Sequence, residues 1–391
     1  MLLAGAGAAS ATPAIAPTST FADALANRKW QGIPGLERTP KGRLFFTWFT
    51  GGAREPKPEN MVILCYSDDD GKTLSPLQIM ATARNPASAQ DRAHDGVLWI
   101  DPKGRLWLLF DRSDKTSGVI SVHARICENP DAPVPVFGDE FRLGLDVPYA
   151  AVMTRATVLS SGEWLQPVFF VKKQISNKPS SGWWPHFDKG DTPPVSFGAA
   201  ISSDEGKTWK VHADLARPWG ENMIVELKDG RFWMPLRTAT GVLWETFSPD
   251  KGRTWSEVKR SHIENPDARF FLRRLSSGNL LLVNYHKFDR LDGDPTKGIR
   301  SRLTAQISTD DGKTWNEGLL LDERQKVSYP DGVQDKDGVI WILYDRDRRG
   351  DADILLARFR EEDVIAGKNV SGAVVLRQVI NSIARKSKPA E

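Results

Sequence analysis

The sequence predicts an all-β chain folded as a six-bladed β-propeller. Two repeats and one absence carry that prediction. A glycine turn followed by an apolar run recurs six times, and a Ser-x-Asp-x-Gly-x-Thr motif recurs four times. Long amphipathic helices are hard to find, whereas short strand-like runs rich in Gly, Pro and aromatics are frequent.

The glycine turns mark the blades. They are KGRLFF with Gly42, KGRLWLLF with Gly104, SGEWLQPVFF with Gly162, DGRFWMPL with Gly230, SGNLLLV with Gly278 and DGVIWIL with Gly338, spaced about 50 to 70 residues apart. Each reads as a hairpin whose glycine accepts a positive φ. The second repeat reads SDDDGKTL at 67–74, SSDEGKTW at 202–209, SPDKGRTW at 248–255 and STDDGKTW at 308–315. It falls late in its blade, at the turn from the third strand to the fourth. There the Asp carboxylate accepts turn N–H groups, Gly takes the left-handed position and Trp packs beneath the hairpin. This is a device of the fold, so the chemistry is expected elsewhere.

Composition narrows the rest. The formal charge of +3 is small for 391 residues, and the two signs are interspersed, so no nucleic-acid partner is expected. Cys65 and Cys127 lie in apolar runs and read as buried thiols. Spacings typical of metal ligands and of nucleotide-binding glycines are absent, so neither a cofactor nor a catalytic metal is expected. No stretch after the leader reaches the roughly 18 to 20 apolar residues of a membrane span. Residues 1 to 20, with Ala-x-Ala-like steps near Ala14-Ile15-Ala16, resemble the apolar and cleavage parts of a secretory signal. They predict an exported protein, periplasmic or extracellular. The propeller is expected over 28–362, with 363–391 as a closing segment and tail.

Counting from the glycine turns gives a common register for the inner hairpins. Nine residues before each glycine stand Ile33, Asp95, Met153, Glu221, Arg269 and Tyr329. Seven after it stand Phe49, Asp111, Phe169, Arg237, Tyr285 and Asp345. Both sets fall at the same end of the inner strands, where a propeller forms a funnel. A convergent set of charged and phenolic groups there predicts a binding or active site.

These residues resemble the sialidase superfamily, the bacterial neuraminidase repeat proteins, over about residues 28 to 362. In that family a Glu opens the fourth blade and an Arg follows sixteen residues later. ENMIVELKDGRFWMPLR places Glu221 and Arg237 at that spacing. The last blade opens with a Tyr, matched by Tyr329 in YPDGVQDKDGVIWILYD, and the fifth carries an Arg, here Arg300 or Arg302 in IRSRLTAQISTDDG, with Arg300 favoured. The resemblance implies a glycan substrate and an exo-acting glycoside hydrolase that releases a terminal acidic sugar. It implies Tyr329 as nucleophile, Glu221 as its base, and Arg237 with Arg300 as a clamp on the sugar carboxylate.

Two family elements differ. The Arg-Ile-Pro of the first blade reads QGIPGLE, with Gly32 at the arginine, and GGAREPKPEN offers Glu55 where the family has an Asp acid. Arg38, Arg54 and Arg92 are the arginines considered as substitutes, and Glu55 or Asp95 is the candidate acid/base. His94 beside Asp95 is a candidate proton carrier. Arg269 would meet an acidic ligand or pair with Asp267. Trp183 and Trp184 would stack on a sugar or pack on a blade. His286 reads as a surface or hydrogen-bonded residue, and DRDRRGD at 345–351 as a solvated loop. Two other readings stay open. One is a polysaccharide lyase or related glycosidase acting on a uronate- or rhamnose-containing glycan. The other is a non-catalytic glycan-binding propeller.

Overall fold

The computed structural model describes residues 19–55, 57–85, 87, 91–114, 119–147, 149–171, 195–216, 221–294 and 298–383. Residues 1–18, where a leader is expected, and Trp183 and Trp184 fall outside them. Six antiparallel sheets form the blades of the propeller, each a meander of consecutive strands. The first blade runs Gln31–Arg38, Leu44–Thr50, Met61–Ser67 and Gln78–Thr82. The sixth runs Val327–Gln334, Val339–Arg346, Asp353–Arg360 and Val375–Ser382, so the chain after residue 362 supplies that blade's outermost strand. The third blade has a split innermost edge, Tyr149–Ala151 and Thr157–Val158, both paired with Trp164–Val171. No helix among the described residues is long and apolar enough to cross a membrane.

The six glycine turns share one geometry. Gly104 N donates to Asp101 O (2.8 Å) and Asp101 N to Arg105 O (3.0 Å), and the same pair of bonds recurs at Gly42, Gly162, Gly230, Gly278 and Gly338. All six glycines have φ between 80° and 102°. At Gly104 an added Cβ would meet nothing within 4 Å, so the requirement there is conformational and not one of space.

The four Asp turns join third strands to fourth strands, as expected. Ser67 Oγ accepts from Gly71 N (2.8 Å), and Asp69 accepts both Thr73 N (2.8 Å) and Thr73 Oγ1 (2.7 Å). The same bonds recur around Asp204, Asp250 and Asp310. Hydrogen bonds from that Thr hold each carboxyl at about 2, below its ordinary value. The turns also bind blade to blade. A Cβ on Gly206 would strike Trp107 of the second blade, and one on Gly312 would strike Trp233 of the fourth. Each of these turns thus rests on the blade before it. Between the second and third blades, Trp99, Trp107 and Trp164 pack edge-on, with centroids 4.8 to 6.0 Å apart for the two Trp164 pairs.

The axis is closed by charge. Arg155, 4% exposed, leaves the gap in the third blade's inner edge. It reaches Asp331 of the sixth blade (2.8 Å), Glu37 of the first (3.2 Å) and the carbonyl of Leu36. Burial opposes its charge, but Asp331 and Glu37 outweigh that and raise its pKa. Arg273 of the fifth blade is half-buried beside them, and its loss of solvent pulls its pKa down to about 10. Removing Arg155 strands two buried carboxylates without their cation. Arg155→Ala should therefore cost about 3–5 kcal/mol of stability, measured by urea unfolding. A loss below about 1 kcal/mol would mean the axis relaxes around the two acids.

Candidate active site

At the mouth of the propeller the inner strands kink. Ile33, Asp95, Glu221 and Tyr329, all in the nine-before register, have φ of 55°, 56°, 70° and 54°. In the first, second and sixth blades the strand register slips at this place, between Gly32 and Gly35, His94 and Val97, and Ser328 and Asp331. The slip turns one side chain toward the axis. A β-branched or bulky residue in this region is strained unless its surroundings hold it. They do. Ile33 N donates to Asp345 Oδ2 (2.9 Å), Tyr329 N to Tyr285 Oη (3.0 Å) and Val152 N to Asp111 Oδ1 (3.1 Å). The acceptors are the seven-after residues of the preceding blade. Asp111, Tyr285 and Asp345 of the convergent set thus hold backbone, while Glu221, Arg237 and Tyr329 bring side chains together.

Tyr329 is the centre. Its hydroxyl donates to Glu221 Oε1 (2.5 Å) and accepts from Arg237 Nη1 (2.9 Å), which also donates to Glu221 Oε2 (2.6 Å). Burial raises the phenol above its ordinary value, and the Arg237 charge opposes this without reversing it. The resting group is therefore a neutral phenol already bonded to a base. Sequence reading placed Tyr329, Glu221 and Arg237 together, and the structure brings them within direct contact.

Asp267 orders the arginines. Its Oδ1 accepts from Arg237 Nε (2.7 Å), and its carbonyl accepts from Arg300 Nε (3.1 Å) and Nη2 (2.8 Å). Arg300 Nη1 donates to Ser328 Oγ (2.7 Å), beside Tyr329. Arg269 lies below the phenol, its Cζ 4.8 Å from the ring centroid. It does not pair with Asp267. It donates instead to the carbonyls of Met153 (2.6 Å), Pro34 (3.1 Å) and Tyr329 (3.3 Å), as part of the floor.

The place of Gly32 is filled from the sixth blade. A Cβ there would lie 2.6 Å from Arg348 Nε and 2.8 Å from its Cδ. Arg348 grips Asp345 with Nε and Nη2 (3.0 Å each), donates from Nη1 to Glu55 Oε1 (3.0 Å), and sets its Cζ 4.3 Å from the Tyr329 ring centroid. The 345–351 stretch, expected to be a solvated loop, therefore supplies two residues of the site. Glu55 is pushed up to about 7 by burial, with Asp95 and Asp345 adding to the shift and Arg348 opposing it.

Arg38 lies elsewhere, at the far end of its strand, paired with Asp70 (2.9 Å) and near Asp335 (3.6 Å). Arg54 is exposed and His286 faces Glu317 (3.4 Å). His94 is buried, with Nδ1 2.8 Å from Asp95 Oδ2 and Nε2 3.3 Å from Ser113 Oγ. The donor atoms of His94, Asp95 and Asp111 lie within 4.8 Å of one another and form a set able to hold a metal ion. Spacing along the chain hid this set, because His94 and Asp111 meet as cross-strand partners. Burial first, then the Asp95 charge, pushes Asp111 well above its ordinary value, which lowers the negative charge such a set offers.

The sequence matches the BNR repeat-like domain over residues 42–342. The chain belongs to that family. This BNR repeat-like protein is a sialidase-like propeller. It is 30% identical over 155 residues to a sialidase of Bacteroides fragilis (strain YCH46), a stretch covering 38% of this chain and 28% of that protein. A Hadza microbial sialidase has the same fold at a TM-score of 0.67 and 19% identity, over 86% of this chain and 66% of its own. A Dyadobacter fermentans DSM 18053 protein of unknown function matches at a TM-score of 0.58 and 15% identity, over 85% and 94% of the two chains.

Because burial raises the Tyr329 phenol, it should stay protonated well above pH 10. The ultraviolet difference between the parent and Tyr329→Phe during alkaline titration checks this. A phenolate signal near pH 10 that disappears in the variant would contradict it.

Proposed function

We propose that the protein is an exo-acting glycoside hydrolase of sialidase type, releasing a terminal acidic sugar from a glycan. The observation that carries this reading is the Tyr329–Glu221–Arg237 contact, with 2.5 and 2.9 Å bonds to one phenolic oxygen. A sugar with a carboxylate on its anomeric carbon repels a carboxylate nucleophile. A neutral phenol does not. As Tyr329 Oη bonds to the anomeric carbon, its proton passes to Glu221 Oε1, and Arg237 stabilises the charge developing between them. Sialidases with a Tyr nucleophile are the known departure from paired-carboxylate hydrolysis. Arg237 and Arg300, tied together by Asp267, supply planar cations for a carboxylate. Glu55, with a pKa of about 7, suits the acid that protonates the leaving oxygen. The named activity of the Bacteroides fragilis relative supports the same reading.

A fluorogenic N-acetylneuraminide, together with glucuronide and galacturonide counterparts, tests it. Tyr329→Phe should lower kcat roughly 10³-fold, while unfolding midpoints stay near the parent's. Since Glu55 is protonated below about pH 7, kcat/KM should fall as pH rises through that value, and Glu55→Gln should remove that limb. Formation of an unsaturated product would instead mark a lyase. Binding without turnover, unchanged in Tyr329→Phe, would mark a glycan-binding propeller.

A further inference from the structure

We infer that Arg348 holds the carboxylate of the ligand, in the space that Gly32 leaves open. The inference deepens the acidic-sugar reading above and rests on it. Four observations carry it. First, residue 32 and Arg348 compete for one volume, since a Cβ on Gly32 would sit 2.6 to 3.0 Å from Nε, Cδ and Cγ of Arg348. Gly32 does not have the positive φ that calls for glycine, so what excludes a side chain is the arginine. Second, Arg348 lies nearer the centre of the phenol ring than the other two mouth arginines, of which Arg237 bonds the hydroxyl instead. Its Cζ is 4.3 Å from the Tyr329 ring centroid, against 5.4 Å for Arg300 and 6.0 Å for Arg237. Third, three of the five guanidinium N–H groups serve Asp345 and Glu55, which leaves one N–H on each of Nη1 and Nη2. Fourth, Asp345 fixes the base of the side chain while its Oδ2 also accepts the Ile33 N–H, so the arginine is preset.

The two acids on Arg348 differ. Asp345 is fully buried and committed to the backbone, whereas Glu55 is partly exposed on a loop and its Oε2 has no hydrogen-bond partner. The charged groups facing Glu55 are Arg348, Asp95 and Asp345. A carboxylate arriving on Arg348 takes up its cation and adds a negative charge beside two others. Both effects draw a proton from solvent onto Glu55. The free protein has Glu55 ionised above about pH 7, so uptake is expected there and should fade below about pH 6, where the acid already carries its proton. The ligand that needs an acid would thus load it.

Isothermal titration with N-acetylneuraminic, glucuronic and galacturonic acids, each beside its methyl ester, tests this in the parent, Arg348→Gln, Arg348→Lys and Glu55→Gln. The parent should favour at least one free acid over its ester by roughly 10-fold, the worth of a charge-assisted hydrogen bond. Arg348→Gln should lose most of that preference, keeping only what Arg237 and Arg300 supply. Arg348→Lys, which keeps a cation against Asp345 but not the fork, should lose most of it and serves if the Gln variant misfolds. At pH 7.5, titration in two buffers of different ionisation enthalpy should show proton uptake by the parent and none by Glu55→Gln. A preserved acid preference in folded Arg348→Gln or Arg348→Lys overturns the inference, as does a parent indifferent to the carboxylate. Arg348-dependent acid binding without cleavage of any acidic glycoside would sink the hydrolase reading and leave this one standing.

Discussion

The N–H of Tyr329, bonded to Tyr285 Oη, and the N–H of Ile33, bonded to Asp345 Oδ2, secure backbone that ordinary β-structure rejects. A strand entering the mouth in a regular pleat would send successive side chains to opposite faces and pair its N–H within the sheet. The kink frees that N–H and turns Tyr329 toward Glu221, which stands on its own kinked residue in the fourth blade. The acceptor comes each time from the neighbouring blade. The active geometry is therefore a property of the ring and not of any one sheet.

Charge is distributed with the same logic along the axis. At the depth of Arg155 the cation is enclosed by Asp331 and Glu37, and nothing there invites a ligand. At the mouth, Arg237, Arg300 and Arg348 gather around one neutral phenol, which itself bonds to Glu221. One acid in this group, Glu55, is held near neutrality in its titration, so the balance of charge at the mouth shifts within the physiological range. The two clusters share residue types and differ in what the arginines surround, carboxylates at the axis and a phenol at the mouth.

The fold was legible because its punctuation is local. A glycine with φ near 80° and an Asp bonded to a Thr four residues on are set by a few neighbours, and both are written in consecutive letters. Tyr329, Glu221 and Arg237 were legible because a fixed count from the glycine turns places them at one height. Arg348 was not. It follows Asp345 by three residues, beyond the strand and outside the register, and its role arises from the void at Gly32 in a blade at the other end of the chain. Asp267 was noticed only as one of two alternatives for Arg269, since sequence proximity points to the neighbour and not to Arg237, thirty residues away. The cross-strand meeting of His94 with Asp111 was hidden for the same reason. Arg38 was read as a substrate contact by residue type, yet eight residues of extended strand carry it away from the mouth.

Each blade is complete in itself, so the ring has a seam where the first blade meets the sixth. Along it Arg28 Nη2 donates to Asn381 Oδ1 (2.9 Å), Gln31 Nε2 to the carbonyl of Ala352 (2.5 Å) and Leu36 N to Asp331 Oδ2 (2.9 Å). Five of the joints between blades link stretches that follow one another along the chain. The seam links residues roughly 300 apart, and among the described residues no strand is shared across it. Assembly of the meanders is a short-range affair, but closing the seam is a long-range encounter, in which Leu36, Phe46 and Trp48 of the first blade pack against Trp341, Leu343 and Leu356 of the sixth. Tyr329 and Arg348 stand on one side of that line and Gly32 on the other. An open seam would part Arg348, on the sixth blade, from Gly32 and Glu55, on the first, whereas the contact of Tyr329 with Glu221 and Arg237 runs between the sixth and fourth blades and does not cross it.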